Sequence, residues 1–119
     1  MDIIKWIIVI VLMILTFRNF LPARGVKQLS NKEVKTIVSQ KDIQLIDVRS
    51  ALEYELNHIE GFKNIPLSKI SKRHNELDRE KEVVLICQSG MRSNKASKKL
   101  KRLGFTNITN IKGGMSSWS

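Results

Sequence analysis

Val83-Val84-Leu85-Ile86-Cys87-Gln88-Ser89-Gly90-Met91-Arg92-Ser93 is the stretch on which the reading of the whole chain turns. Four apolar, mostly branched residues run into the only cysteine of the protein. That length and branching predict a buried strand over 83–86. A short polar turn follows, in which Gly90 can take backbone angles closed to other residues. Behind it Ala96, Leu100 and Leu103 recur at helical spacing. In a strand–turn–helix of this kind, the N–H groups of the turn and of the helix start can converge on one anion. Arg92 adds a permanent positive charge and a planar fork of donors. Cys87 stands at the centre of that cradle, where cations and a helix N-terminus make a thiol lose its proton easily. A lone cysteine closing a buried strand is by itself an ordinary small core residue. Gly90, Arg92 and the helix behind them are what point to a nucleophile.

The spacing restricts the ligand. Four residues separate Cys87 from Arg92, one fewer than in the Cys-x5-Arg loops of cysteine-dependent phosphatases. The tighter ring suits a terminal sulfur atom better than a phosphoryl group. One cysteine also excludes an internal disulfide, a multi-cysteine metal site and a resolving thiol within the chain. Whatever Cys87 carries must pass to another molecule.

Upstream, Leu29 to Val34 has the form of a helix start, with Ser30 as cap, Glu33 bonding back, and Leu29 and Val34 as a staple. That helix is expected to end near Ser39. A strand over 44–48 follows, with Asp47 at its end, and Ser50 and Glu53 open a second, short helix to about Leu56. Asn57 tolerates the left-handed angles of a turn. Residues 67–77 read as helical with Ile70 and Leu77 inward, 78–82 as a charged turn, and 106–111 as a last strand. Gly104 is placed as the residue just past the helix that follows Cys87. Gly113-Gly114-Met115 turns into a stub at Trp118. Strands alternating with helical segments predict an α/β fold with a parallel sheet, whose ligands bind beyond the carboxyl ends of the strands.

At Cys87 to Ser93 the chain resembles the active-site loop of the single-domain rhodanese sulfurtransferases. Asp47-Val48-Arg49, Glu53-Tyr54, His58-Ile59-Glu60-Gly61 and Asn64-Ile65-Pro66 follow the order of that family's first half. Gly104-Phe105, Asn107-Ile108, Gly113-Gly114-Met115 and Trp118 follow its C-terminal end. The resemblance implies a rhodanese-like small parallel sheet flanked by helices on both faces, over residues 29–119. It implies a thiosulfate sulfurtransferase-like enzyme in which Cys87 and Arg92 are catalytic. Gln88, Ser89, Gly90, Met91 and Ser93 would form the substrate cup, and Asp47 and Arg49 would support it. His58 would be structural, no metal or organic cofactor would be required, and Phe62 replaces a usually small residue. The partners implied are a small anionic sulfur donor, such as thiosulfate or a polysulfide, and a thiol or protein acceptor. Two other readings stand beside this one: a non-catalytic binding or regulatory module, and, disfavoured by the loop spacing, a phosphatase or arsenate reductase.

The chain has 119 residues, room for one domain and an appendage, and 42% hydrophobic residues, enough for an ordinary core. Its formal net charge is +10, with no Asp or Glu after Glu82. A solvated basic helix face accounts for most of this charge; attraction of anionic substrates or anionic lipid are the functional readings. The seven aromatics do not interleave with the basic run, so nucleic acid is not expected as a partner.

Residues 1–21 form a separate apolar unit, continuous from Trp6 to Leu15, with Lys5 and Arg18 able to snorkel at its edges. Trp6 and Phe20 are placed for two membrane interfaces. Leu21-Pro22-Ala23 is a poor cleavage site, and a core helix would not be apolar on every side. The segment is therefore read as an N-terminal transmembrane helix over 1–21, joined by a linker over 22–28 to the domain. Arg18, Arg24 and Lys27 beyond it place the domain on the cytoplasmic side of the cell membrane, as a single-pass protein. A reducing compartment suits a free working thiol.

Overall fold

The computed structural model describes residues 2–21, 24–40 and 42–118. Five strands and five α-helices alternate: α1 (Asp2–Phe20), β1 (Lys27–Leu29), α2 (Asn31–Lys35), β2 (Ile43–Asp47), α3 (Ala51–Leu56), β3 (Lys63–Asn64), α4 (Ile70–Arg73), β4 (Glu82–Ile86), α5 (Met91–Arg102) and β5 (Ile108–Ile111). The strands form one sheet in the order β1-β5-β4-β2-β3, and every pair is parallel. In β4 the side-chain alternation of a strand splits the core in two. Val83, Leu85 and Cys87 pack on one face with Ile70, Ala96, Leu100 and Phe105, from α4, α5 and the turn beyond. Val84 and Ile86 pack on the other with Val34, Phe62, Met115 and Trp118. Both faces of the central strand are covered, so it is apolar from Val83 to Ile86, after Glu82 at its start.

Both predicted capping boxes form. Ser30 and Ser50 each accept from the backbone of the Glu three residues on, and each Glu bonds back to the cap. Other expectations are corrected. Lys27 and Gln28, read as linker, belong to edge strand β1, paired with Thr109 and Asn110 of β5. The helix expected to reach Ser39 stops at Lys35 and continues as turns. The segment 67–77 is not one helix but α4 between two 3₁₀ turns, with Ile70 and Leu77 buried as expected. Asn57 is extended at φ −168 rather than left-handed. Phe62 is buried and meets Trp118 edge-on, with ring centroids 6.4 Å apart. His58 stacks on Tyr54 and its Nδ1 lies 2.8 Å from the Tyr54 carbonyl oxygen, a structural role.

α1 is helical over 19 residues and presents its apolar side chains to the outside, from Ile3 to Phe17. Among the described residues no helix is long and apolar enough to cross a membrane; the transmembrane helix expected over 1–21 finds no support there, and the described residues show an exposed apolar helix. The Phe20 side chain, and Pro22 and Ala23 of the weighed cleavage site, lie outside the described residues.

Candidate active site

Cys87 follows the last residue of β4, at the carboxyl edge of the sheet. Beside it the β2 chain continues one residue past its strand, where the Val48 N–H donates to the Ile86 carbonyl at 2.9 Å. The loop then folds back over the sulfur. The Gly90 N–H donates to Cys87 Sγ at 2.9 Å, and the thiol lies 3.4 Å from Ser93 Oγ, which itself donates to the Gly90 carbonyl at 3.1 Å. Gly90 caps α5 with φ +98, an angle that a side chain would strain. Gln88, Ser89 and Met91 are exposed on the rim, while Cys87 is fully buried at the bottom.

The segment just past β2 is held by a network of its own. Asp47 and Arg49 form a buried pair: the Arg49 Nε and Nη2 donate to the Asp47 carboxylate at 2.8–3.1 Å, and the Arg49 N–H donates to it at 2.9 Å. Arg49 Nη2 also donates to the Asn57 carbonyl at 2.6 Å. Asn64 Nδ2 ties the Asp47 and Arg49 carbonyls, each at 2.9 Å. These bonds fix the segment that carries α3, and α3 carries Glu53.

Arg92 does not hydrogen-bond the sulfur. Its Nη1 and Nη2 donate to Glu53 Oε1 and Oε2 at 2.5 and 2.8 Å. Glu53 Oε1 also takes the Ser50 N–H and hydroxyl, at 3.1 and 2.9 Å. Led by the hydrogen bonds from Arg92, these partners lower the Glu53 carboxyl from 4.5 to about 2. Glu53 in turn raises the Arg92 guanidinium above its ordinary value, with a smaller contribution from Cys87. The fork is therefore held beside the loop by a carboxylate. A cavity of about 370 Å³ opens there, walled by Val48, Ala51, Leu67 and Arg92 among others.

Sequence reasoning missed the floor of the site. Gly114 packs so closely that a Cβ on it would stand 2.1 Å from the Cys87 carbonyl oxygen. The Met115 N–H donates to that oxygen at 2.8 Å, and the Ser116 N–H and hydroxyl donate to the Gln88 carbonyl at 2.9 and 2.8 Å. The Gly113-Gly114 pair was the available signal, since paired glycines mark close backbone approach. Glu53 was read as a cap and as part of the Glu53-Tyr54 motif, not as a partner of Arg92; its bond to Arg92 spans 39 residues of sequence. Among the described residues no three His, Cys, Asp or Glu side chains gather as a metal site.

The chain is thus a parallel α/β domain with a lone cysteine under a tight loop at the carboxyl edge of its central strand, where ligands of such sheets bind. Residues 30–119 match the model of the rhodanese-like domain, and the chain belongs to that family. The chain is 42% identical over 95 residues to the uncharacterized protein YqhL of Bacillus subtilis, covering 80% of this chain and 74% of that protein. It is 38% identical to the putative sulfur carrier protein YrkF of Bacillus subtilis, over 82% of this chain but only 53% of YrkF. It is 30% identical to the thiosulfate sulfurtransferase GlpE of Coxiella burnetii, over 77% of this chain and 86% of GlpE. Among solved structures it resembles a rhodanese-like domain protein from Staphylococcus aureus, with a TM-score of 0.73 and 28% identity over 79% of this chain and 92% of that one.

Proposed function

We propose that the protein is a membrane-associated sulfurtransferase that carries sulfur on Cys87. The observation that carries this reading is the Gly90 N–H aimed at Cys87 Sγ from 2.9 Å, within a loop whose rim, Gln88, Ser89 and Met91, is exposed. The Cys87 thiolate attacks the outer sulfur of a donor such as thiosulfate or a polysulfide. A new S–S bond forms to Cys87, the donor's own S–S bond breaks, and its electron pair leaves with sulfite or the shortened polysulfide. The terminal sulfur anion on Cys87 is then held by the amides of Gln88 to Ser93, with Arg92 supplying charge for the anionic donor. An acceptor thiolate attacks that outer sulfur, takes it as its own persulfide and releases the Cys87 thiolate. No external oxidant or reductant enters the balance.

The burial of Cys87 sets a condition: the 88–92 segment parts before a donor reaches the sulfur. The same burial favours a second reading, a binding module that keeps the fold and uses the loop to hold a partner. Intact-mass analysis after donor treatment decides between them. One added sulfur on Cys87, absent in Cys87→Ser, and ping-pong kinetics support the transferase. No adduct with thiosulfate or polysulfide, and full cellular function in Cys87→Ser, support the module.

α1 anchors the domain to the cell membrane, with the domain on the cytoplasmic side. Its apolar side chains point outward all round, and Arg18 and Arg24 follow them. A reporter fused to the C-terminus reads the side: a signal from outside the cytoplasm overturns the orientation.

A further inference from the structure

The path from α1 into the domain fixes which end of the sheet α1 leaves from. Asn94 lies in the first turns of α5, just behind the Cys87 loop, and its Nδ2 donates to the Leu21 carbonyl at 2.7 Å. Four residues on, Gly25 lies against the side chain of Lys101, near the far end of α5. Leu21 thus lies by the active-site end of α5 and Gly25 by its far end, from which β1 starts back up the sheet beside β5. α1 therefore departs from the active-site end of the domain.

A second observation points the same way. Among the described residues, the only large apolar side chains exposed outside α1 are Leu21, Leu52, Leu56 and Met91. Single exposed leucines need no explanation. These do not scatter. Leu52 and Leu56, 65% and 77% exposed, are one turn apart on α3, which begins just past the carboxyl end of β2. Met91, 44% exposed, opens α5 in the Cys87 loop itself. All three sit at the carboxyl edge of the sheet, the edge from which α1 leaves. Arg18 and Arg24 flank that exit with positive charge, which complements anionic headgroups.

We propose that the active-site face of the domain lies against the phospholipid surface, with Leu52, Leu56 and Met91 at headgroup depth around the mouth of the Cys87 loop. The inference rests on α1 being seated in lipid. It makes the bilayer one wall of the site, so that partners reach Cys87 along the membrane surface.

The test uses the full chain on vesicles of phosphatidylcholine and phosphatidylglycerol, in a Cys87→Ser background that leaves one labelling site. An environment-sensitive fluorophore is attached at Leu56→Cys, at Met91→Cys, or at Glu80→Cys in the exposed turn before β4, at the opposite end of the sheet. Side chains seated ~5–10 Å into the headgroup region predict quenching by spin-labelled lipid at least about threefold stronger at 56 and 91 than at 80. In the double variant Leu52→Glu/Leu56→Glu, quenching at 91 falls toward the value at 80 while the protein still sediments with vesicles. Equal quenching at all sites, or stronger quenching at 80, overturns the proposal. So does quenching at 56 and 91 in native membranes but not in pure lipid, which would assign the face to a membrane protein. Sedimentation alone reads the anchoring, and the mass of donor-treated wild-type protein reads the sulfur chemistry, so each can fail by itself.

Discussion

Gly114→Ala is the sharpest probe of how the site is floored. Gly114 sits at φ +54, where an L side chain costs ~1–2 kcal/mol. Its new Cβ would stand 2.1 Å from the Cys87 carbonyl oxygen and 2.9 Å from the carbonyl carbon, distances that no side-chain rotation relieves. The backbone must move apart, and the Met115-to-Cys87 and Ser116-to-Gln88 hydrogen bonds are the first to break. At ~0.5–1.5 kcal/mol for each bond, plus the strain, the loss comes to about 2–5 kcal/mol. Gly61→Ala is the control: φ is also positive there, at +95, but the nearest atom to a new Cβ is Leu45 Cδ1 at 3.8 Å. Strain alone predicts ~1 kcal/mol for it. Urea denaturation of the full chain in detergent measures both, and the rate of persulfide formation on Cys87 should fall for Gly114→Ala alone. If the two variants unfold within ~0.5 kcal/mol of each other, the close approach is not what demands glycine at 114, and the reasoning is wrong.

Asp47→Ala leaves the Arg49 guanidinium buried without its carboxylate, and should cost ~3–5 kcal/mol in the same denaturation experiment. Glu53→Gln removes the charge that fixes Arg92. Because both side chains are about one-third exposed, the pair itself contributes no more than ~1 kcal/mol. Glu53 has a lowered carboxyl in the folded state, so this contribution is full above pH 4.5 and disappears as pH falls toward about 2. The stability gap between wild type and Glu53→Gln, followed by circular dichroism against pH, should close over that window. Arg92→Ala should raise KM for thiosulfate about tenfold or more in steady-state assays, while the protein unfolds within ~1 kcal/mol of wild type.

The parts of the site legible in the sequence were the local ones. The strand ending at Cys87, the turn at Gly90 and the helix behind it are set by neighbours a few residues apart, and so are the boxes at Ser30 and Ser50. β1 escaped because Lys27-Gln28-Leu29 is too short to show alternation; it is a strand only because β5 offers a free edge. The break-up of 67–77 into short turns likewise follows from packing rather than propensity. Arg92 illustrates the limit most clearly. Its charge and its distance from Cys87 along the chain were plain, but its direction is decided by Glu53 on another helix, and no local pattern encodes that pairing.

A sulfur stored beneath its own loop also becomes a gauge of that loop. Small alkylating reagents can modify Cys87 only during the intervals when residues 88–92 stand aside, so the ratio of its alkylation rate to that of an unhindered thiol approximates the open fraction. Comparing that ratio with and without a bound acceptor would show whether the visitor meets an open door or opens it.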